Sequence, residues 1–559
     1  MSSSGPGTLR VGARRVGPSA AVRQKEGKPI LVRALGHAGL QVSSSNGTIL
    51  VDPWFSPEGA FLGSWHQYPS NEHLLGRIGT PDAVVISHEH LDHVDGWFLE
   101  RLAAHVAVYV PQYPSPVLRA KVLAGGDRQV HEIPAWEERQ VAPDIRVIFV
   151  TEESPMNHDA AMVIRVGDET LLNMNDARLT ARQLRKIRST VGGTVEVAAI
   201  QGAGASWYPV CYRYDEERKR ELSARKRSAK LRYVAKVTEL VEPAVTLPFA
   251  GPPAFLDADL RFANDEMGPQ GIFPDQQQVA TWLVDETDRS EVAVLLPGDA
   301  WDTASGIAAD AHWSGFSFDD RDAYIESYAA RRRPHIEAVR SRYPDPDRDL
   351  FDEFRRYFDR VLAMSAYFNE SIDINVGFAI TGPGGGDWSV DFRSGRGSVA
   401  RQIEDAQYTY QFASRWLPAI LTGEIPWEDF LLSLRFEAWR DPDVYNDHLL
   451  GLLKFAWPDA LEAVESYERQ DADDATIDIE VEGVTYRIDR YCPHAGQDLR
   501  ETGEVLPGGI LRCLGHHFEF DLTTGECVNG NSRPIASTVI SIDDRSLPAE
   551  AENVSRSDS

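Results

Sequence analysis

The sequence predicts an α/β protein in three folded parts: an α/β sandwich, a mostly helical α+β region and a small all-β domain. Two observations support this prediction. Short apolar strands alternate with helical segments up to about residue 310, which is typical of an α/β sandwich. Residues 310–470 then carry mainly helical patterns, and residues 475–545 return to short strands separated by glycine turns.

Turn and cap residues indicate individual elements. Asn46-Gly47 separates two apolar runs and predicts a β-hairpin within residues 30–53. Residues 83–86 are expected to form a short buried strand, and Asp95 is placed to begin a helix. The remaining patterns predict strands at 146–150, 161–166 and 170–172, a charged helix at 213–236 and a hairpin at 373–392.

Composition shifts divide the 559-residue chain into five segments. We expect a disordered arm at 1–28, the sandwich at 29–310, a cap or scaffold at 311–470, the all-β domain at 471–546 and a disordered tail at 547–559. The arm is rich in Ser, Gly, Pro and Arg, and no apolar run follows its arginine pair, so we expect no signal sequence.

Charge and cysteine content exclude several classes of protein. The formal net charge is −28, which argues against nucleic acid or an anionic membrane as partner, because such contacts need Lys and Arg. No run approaches 18 apolar residues, so no transmembrane helix is expected, and the predicted location is the cytoplasm. The four cysteines are too few for a secreted disulfide framework.

Two cysteines and two histidines near the C-terminus have the spacing of iron–sulfur ligands. Cys492-Pro-His494 is followed, eighteen residues later, by Cys513-Leu-Gly-His516. The pattern resembles the ligand set of Rieske domains. That resemblance implies a [2Fe–2S] cluster in which two thiolates hold one iron and two imidazoles hold the other. The alternative is a zinc site built from the same four side chains.

Two neighbours of this motif leave their roles open. His517 stands where ring-hydroxylating relatives usually have glycine, and it is either an electron-exit group or an ordinary surface histidine. Cys527 is expected to be a structural thiol rather than a ligand.

A second motif follows the predicted strand that ends at residue 86. Residues 87–93 read Ser-His-Glu-His-Leu-Asp-His, which resembles the H-x-H-x-D-H signature of the metallo-β-lactamase superfamily. The resemblance implies an αββα sandwich in which His88 and His90 bind one metal. It also implies that Asp92 and His93 bind a second metal and are the candidate catalytic residues.

The same resemblance implies two further ligands. His158 would join the first metal, and Asp176 would bridge the two. The final histidine of the superfamily pattern is missing, because no histidine occurs between His158 and His312. Either the second metal is weakly held, or one of three carboxylates substitutes: Asp257, Asp259 or Asp299.

Other segments narrow the resemblance. Residues 36–38 and 52–54 look like the opening of a subgroup that includes an ascorbate-lactonase and phospholipases, and His37 would be either near the metals or structural. Residues 230–240 and 247–251 resemble the cytidine-monophosphate N-acetylneuraminate hydroxylase family. That family also pairs a Rieske domain with this subgroup, although its Rieske domain comes first.

The segment predicted as a cap has a fainter likeness. Residues 386–392 and 421–425 resemble a sterol-carrier-protein-type fold, which would make region 311–470 a cap or scaffold. The basic stretch 213–236 has two interpretations, a solvated helix or a site for a phosphate or nucleotide.

Redox chemistry connects the two motifs. Zinc has no redox chemistry, so a one-electron carrier on the same chain favours iron in the N-terminal site. The predicted function is therefore an O₂-dependent non-haem iron monooxygenase with a mono- or dinuclear centre, zinc being the alternative metal. An external ferredoxin, cytochrome or reductase would reduce the cluster.

The expected substrate is a small polar metabolite, either a nucleotide-sugar or a biosynthetic amine, oxygenated at carbon or nitrogen. The oligomeric state is open, with a homodimer as one alternative. Two other functions compete: a metal-dependent lactonase or phosphodiesterase with a redox-sensing cluster, and an electron-transfer or scaffold protein without chemistry of its own.

Overall fold

The computed structural model describes residues 29–204, 206–393, 397–470 and 474–542. The arm expected at 1–28 and the tail expected at 547–559 lie outside the described residues. The chain forms two compact units that divide after Gln470. Among the described residues, no helix is long and apolar enough to cross a membrane.

The first half of unit one alternates strands with helices. Its strands are β1 (Leu31–Gly36), β2 (Gly39–Ser43), β3 (Thr48–Val51), β4 (Trp65–Gln67), β5 (Ala83–Val85), β6 (Ala107–Pro111), β7 (Val130–Ile133), β8 (Glu138–Ala142), β9 (Ile145–Thr151), β10 (Ala160–Val166), β11 (Glu169–Asn173), β12 (Val197–Gln201), β13 (Val245–Phe249), β14 (Pro253–Phe255), β15 (Glu291–Val292), β16 (Ala300–Asp302) and β17 (Gly306–Ala308). Its α-helices are α1 (Gly96–Arg101), α2 (Val117–Ala124), α3 (Ala181–Thr190), α4 (Glu216–Val241) and α5 (Gln276–Glu286).

Fifteen of these strands form two large sheets that pack face to face, and β4 and β14 pair separately. One has the order β17-β16-β1-β2-β3-β5-β6-β7 and the other β15-β13-β12-β11-β10-β9-β8. Apolar side chains of both sheets, such as Val42, Ile49, Val147 and Ile164, form the buried layer between them. Helices α1 and α2 cover the first sheet, and α3, α4 and α5 cover the second. The layers confirm the predicted αββα sandwich.

Local sequence signals explain where the predicted elements begin. The hairpin around Asn46-Gly47 is β2–β3, with Ser43 opposite Thr48. Asp95 caps α1 by accepting a hydrogen bond from the Phe98 backbone. The charged helix predicted at 213–236 is α4, which starts later because the Asp215 side chain caps it.

The second half of unit one is mostly helical around one sheet, as predicted. Its elements are α6 (Arg321–Ser341), α7 (Phe351–Leu362), α8 (Ala366–Ile372), β18 (Asn375–Thr381), β19 (Gly386–Asp391), β20 (Ser398–Ala400), β21 (Tyr408–Ala413), α9 (Leu417–Thr422), α10 (Trp427–Leu432), β22 (Phe436–Arg440), α11 (Asp447–Phe455) and α12 (Pro458–Glu468). The sheet order is β20-β19-β18-β21-β22, and β18–β19 is the predicted hairpin.

One hydrophobic cluster contains residues from both halves of unit one. Trp65 and Phe255 of the sandwich belong to the same buried cluster as Phe354, Phe378 and Trp427 of region 311–470. Region 311–470 therefore packs against the sandwich and belongs to the same compact unit.

Unit two is small and built mainly from strands. Its elements are β23 (Thr476–Val481), β24 (Val484–Asp489), α13 (Leu499–Thr502), β25 (Gly503–Leu506), β26 (Ile510–Cys513), β27 (Glu519–Asp521) and β28 (Ser537–Ile542). They form two three-stranded sheets, β23-β24-β28 and β25-β26-β27.

Candidate metal centre and cluster site

The loop after β5 carries the H-x-H-x-D-H motif, and the neighbouring strand β3 holds it in place. Strands β3 and β5 are parallel, so Asp52 and Ser87 follow them at the same sheet edge. Asp52 accepts hydrogen bonds from the Ser87 backbone at 2.8 Å and from the Ser87 hydroxyl at 2.7 Å. The Tyr113 hydroxyl donates to the Ser87 carbonyl at 2.9 Å. The loop is therefore fixed before any metal binds.

One group of potential ligands contains two histidines of the motif. His88 Nε2 lies 2.8 Å from His90 Nδ1 and 3.8 Å from Asp159 Oδ1. One donor atom from each of these three residues, of which both histidines are buried, falls within 4.8 Å of the others. Two imidazoles and a carboxylate at this spacing could hold one metal ion.

A second group adjoins the first through His88. His88, His93 and Asp176 also place donor atoms within 4.8 Å of one another, as do His37, Asp92 and His93. His93 Nε2 lies 3.6 Å from Asp176 Oδ1, and His37 Nε2 lies 2.8 Å from Asp92 Oδ2. The structure thus brings five of the six predicted N-terminal metal ligands together, with His37 and Asp159 added to them.

The electrostatics of these groups fit a metal. His93 Nε2, Asp92 Oδ1 and Asp159 Oδ1 are buried and make no hydrogen bond within the described ranges. Burial, with Glu152 beside it, raises the pKa of Asp159 to about 7, so the surrounding residues do not fully compensate its charge. Burial and the neighbouring imidazoles lower the pKa of His88, which leaves its ring neutral as a metal ligand must be.

His158 lies apart from these groups, although it was predicted to join the first metal. Its ring stacks on Tyr113 with centroids 4.7 Å apart, and its Nδ1 atom lies 3.2 Å from Glu89 Oε1. The next residue, Asp159, turns its carboxylate towards His88 instead. Sequence reasoning missed Asp159 because adjacent residues of one loop point in directions that only the packing decides.

The three carboxylates considered as substitutes for the missing histidine are occupied elsewhere. Asp257 pairs with Arg435 at 2.9 Å and with Arg340 at 3.3 Å, and Asp259 binds Arg340. Asp299 accepts hydrogen bonds from two backbone N–H groups. His37, which one of its two interpretations placed near the metals, lies 2.8 Å from Asp92.

Carboxylates outside the two groups orient the histidines. His93 Nδ1 lies 2.9 Å from Asp52 Oδ2, and His90 Nε2 lies 3.2 Å from Glu428 Oε1. Carboxylates commonly contact the second nitrogen of a metal-binding imidazole and fix its orientation. Although burial opposes it, Glu428 raises the pKa of His90 to about 9, so metal binding at His90 would displace a proton from the ring.

Glu428 belongs to α10, in the region predicted as a cap. Lys454 of α11 lies 3.0 Å from the Glu428 carboxylate and compensates its charge. Helix α11 can pack closely against Met156 because residue 451 is glycine; a Cβ atom at this position would collide with the Met156 side chain. No local motif marks Glu428 or Lys454, so neither residue could be recognised from sequence alone.

The cluster motif is assembled in unit two. Cys492 follows β24 and Cys513 ends β26; both are buried and free of disulfide bonds. The rings of His494 and His516 have centroids 4.6 Å apart. A hydrogen bond with the Cys492 thiol lowers the pKa of Cys513 to about 7 despite burial. The four side chains and the ready ionisation of one thiol suit a [2Fe–2S] cluster, which needs thiolates.

The unusual His517 adopts the backbone conformation that favours glycine. Its φ angle is +67°. Its N–H donates to the Cys513 carbonyl at 2.9 Å, and its own carbonyl accepts from Asn529 at 2.9 Å. These two bonds hold His517 in this conformation.

Comparison with known proteins agrees with both halves of this description. Residues 47–185 match the beta-lactamase superfamily domain, and residues 464–539 match the Rieske [2Fe-2S] domain. A protein of Mycolicibacterium smegmatis named as a Rieske 2Fe-2S iron-sulfur protein is 30% identical over 521 residues, covering 89% of this chain and 97% of that protein. The chain belongs to this family of Rieske 2Fe–2S iron–sulfur proteins.

More distant relatives are hydroxylases. Cytidine monophosphate-N-acetylneuraminic acid hydroxylase of Xenopus laevis is 22% identical, covering 75% of this chain and 71% of that protein. Among solved structures, CmlA, a diiron β-hydroxylase from Streptomyces venezuelae, is 18% identical, covers 50% of this chain and 54% of that chain, and has a TM-score of 0.34.

The family matches confirm three predictions: the fold class, the joined superfamily and Rieske domains, and the [2Fe–2S] cofactor. The histidine and carboxylate groups of unit one are of the kind that binds non-haem iron. The chain is related to hydroxylases, which are oxidoreductases.

Separate substitutions of the neighbouring residues His158 and Asp159 test which of them binds the first metal. We expect Asp159→Ala to lose most of the N-terminal metal, because a carboxylate oxygen of the first group disappears. His158→Gln should keep it, because this ring contacts Glu89 instead. Metals per chain, measured by mass spectrometry with cluster iron subtracted, give the answer. The opposite pattern would restore His158 as the ligand.

Glu428→Gln tests whether region 311–470 supports the metal centre. The substitution removes the charge that faces His90 and leaves Lys454 without its partner. We expect the affinity of the N-terminal site for Fe²⁺ to fall roughly tenfold to a hundredfold, as is usual for such supporting carboxylates. A chelator competition measures it. Glu424→Gln, a surface change in the same segment, should have no effect; equal affinities in both variants would refute the role of Glu428.

Proposed function

We propose that the protein is an O₂-dependent Rieske non-haem iron monooxygenase. One observation carries this proposal. A one-electron carrier in unit two shares a chain with a buried group of histidine and carboxylate donors in unit one. Such a carrier has a use only where its electron is consumed.

The donor set favours a redox-active metal. Zinc has no redox chemistry, so a zinc site would make no use of the cluster's electron. Iron bound by these imidazoles and carboxylates, as a mono- or dinuclear centre, would accept electrons from the cluster and supply O₂ activation.

The chain's own residues would divide the work at this centre. His88, His90 and Asp159 would hold one metal position, while Asp92, His93 and Asp176 would hold the other. Asp52 and Glu428 keep the imidazole rings oriented. Gln201 donates to Asp176 Oδ1 at 2.6 Å and fixes that carboxylate. The motif histidines and Asp92 are at most 8% exposed, so little bulk water reaches these side chains.

The proposed substrate and partners are chemical classes rather than individual molecules. A small polar metabolite, either a nucleotide-sugar or a biosynthetic amine, fits the relationship to a hydroxylase of a nucleotide-linked sugar acid. C- and N-oxygenation are both open. An external ferredoxin, cytochrome or reductase would supply electrons, and a homodimer is compatible with this scheme. The net charge of −28 favours a basic donor protein over nucleic acid.

A second candidate is a metal-dependent hydrolase, such as a lactonase or phosphodiesterase, whose cluster senses redox state. It is favoured by the match of residues 47–185 to the beta-lactamase superfamily domain. A hydrolase would turn over its substrate without O₂ or reductant, which separates the two functions directly.

Two substitutions test the electron path from the cluster to the N-terminal centre. We expect Cys513→Ser to abolish oxygenation and the cluster's absorbance while N-terminal metal is retained. His90→Ala should abolish oxygenation with the cluster intact. The assay is O₂ uptake and product formation with a ferredoxin and its reductase, with cytidine-monophosphate N-acetylneuraminate and candidate amines tried as substrates.

Matched controls make this test specific. Cys527→Ser alters a thiol in the same domain, and His131→Ala removes a ring that stacks on Tyr109 away from the metal groups. Both controls should keep activity. Full activity of Cys513→Ser with a physiological donor would refute the proposed electron path.

A further inference from the structure

Helix α4 carries two lysines that face the protein interior. Lys226 and Lys230 are four residues apart, so their side chains leave the same face of the helix. Lys230 is 8% exposed, and Lys226 is partly buried. Lysine is rarely buried without a partner, so the surroundings of this pair require an explanation.

Within the part of the chain that the structure describes, neither ammonium group forms an ion pair. Lys226 Nζ donates to the Ser206 hydroxyl and to the Tyr208 carbonyl oxygen. Lys230 Nζ donates to Gln201 Oε1 at 2.6 Å. An ammonium group has three N–H donors. Lys226 therefore keeps one donor and Lys230 keeps two for another acceptor.

Cationic side chains lie close together at this place. Burial, together with the nearby Arg178, lowers the pKa of both lysines to about 7. The carboxylate that most favours the charged form of Lys226 is Glu266, which already accepts hydrogen bonds from the Ser223 hydroxyl and a backbone N–H. A buried positive charge without a paired anion is unfavourable.

For Lys230, the favourable carboxylates include Asp176 and Asp159. Both belong to the groups of potential metal ligands. Because these two carboxylates would hold a metal, neither is a dedicated counterion for Lys230.

The lysine pair borders the metal centre. Gln201, which accepts from Lys230, ends β12 and donates to Asp176 Oδ1 at 2.6 Å. Only two hydrogen bonds therefore separate the Lys230 ammonium from a potential metal ligand. An anionic group bound at the lysines would place the rest of its molecule next to the metals.

We propose that Lys226 and Lys230, with Arg178 beside them, bind the oxyanion of the substrate, a carboxylate or a phosphate. The identification of this anion as part of the substrate rests on the proposed function. The oxyanion accepts the remaining ammonium N–H groups and completes the charge balance. Because it is anchored at one end, the molecule presents its reacting atom to the centre built from residues 88–93.

The binding test uses metal-loaded, full-length protein and isothermal titration calorimetry with inorganic phosphate and, separately, acetate. The variants are Lys226→Met and Lys230→Met, which keep the aliphatic stem and remove the charge. Lys236→Met is the matched control, because Lys236 lies on the same helix and pairs with Glu239 at 3.4 Å on the surface.

We expect the wild-type protein to bind at least one of the two anions. Each interior substitution should weaken that binding roughly tenfold or more, since hydrogen bonds to charged groups are worth more than neutral ones. Lys236→Met should change it less than twofold. Tighter binding of phosphate than of acetate would assign a phosphate-bearing substrate, and comparable binding a carboxylate-bearing one.

Two results would overturn the proposal. One is absence of binding of either anion by wild-type protein with its metals and cluster intact. The other is binding that neither interior substitution weakens, as expected if the anion sits on the metal or if the lysines only orient Gln201. If a variant does not fold, the wild-type protein can be tested by reductive methylation instead. Added anion should then protect Lys226 and Lys230 from methylation, and lack of protection would overturn the proposal.

The measurement is independent of turnover. Anion binding needs no O₂, donor or reduced cluster, so a protein that binds phosphate through these lysines but oxygenates nothing would disprove the proposed function and keep the anion site. Conversely, if the protein oxygenates its substrate but binds no anion through these lysines, only the anion-site proposal is disproved.

Discussion

Burial of many ionisable side chains in one place is the constraint on which the rest of unit one depends. Asp52, His88, Asp92 and His93 are each at most 2% exposed, and isolated buried charges are strongly unfavourable. The sandwich positions these side chains so that they stabilise one another. Parallel strands β3 and β5 end at one edge, and Asp52 holds the motif loop through its hydrogen bond with Ser87. The hydrogen-bond acceptors that remain unsatisfied converge as a metal site would require. The fold therefore supplies a rigid frame whose charge balance is completed by a bound cation.

Region 311–470 takes part in this charge balance as well as in packing. Its Glu428 faces His90, and its Lys454 compensates Glu428. A second ion pair joins Lys121 of the sandwich to Asp429 at 2.8 Å, and a third joins Asp257 to Arg435. These buried pairs, together with the shared aromatic core, explain why the region is one compact unit with the sandwich. Without this region, His90 would lose its carboxylate partner Glu428, and one side of the metal centre would be uncovered.

Local sequence signals predicted much of the fold and the centre of each site. The Asn46-Gly47 turn, the Asp95 cap and the two ligand motifs are short-range features, so each could be recognised without knowing the packing. The cluster ligands Cys492, His494, Cys513 and His516 meet in the structure because two hairpin-like loops carry them. Features that depend on long-range contacts were not predictable. The orientation of Asp159 towards His88 and the contribution of Glu428 both arise from segments that meet only after folding.

The most direct test of the central claim is Mössbauer spectroscopy on protein grown on ⁵⁷Fe and purified without oxygen. We expect about three or four irons per chain, with the signals of a [2Fe–2S] cluster and of one or two additional high-spin irons with nitrogen and oxygen ligands. The additional signals should disappear in His90→Ala and persist in Cys513→Ser. Cluster iron alone, with one or two zinc ions in the N-terminal site of protein from iron-replete cells, would contradict the assignment of oxygen chemistry to this centre.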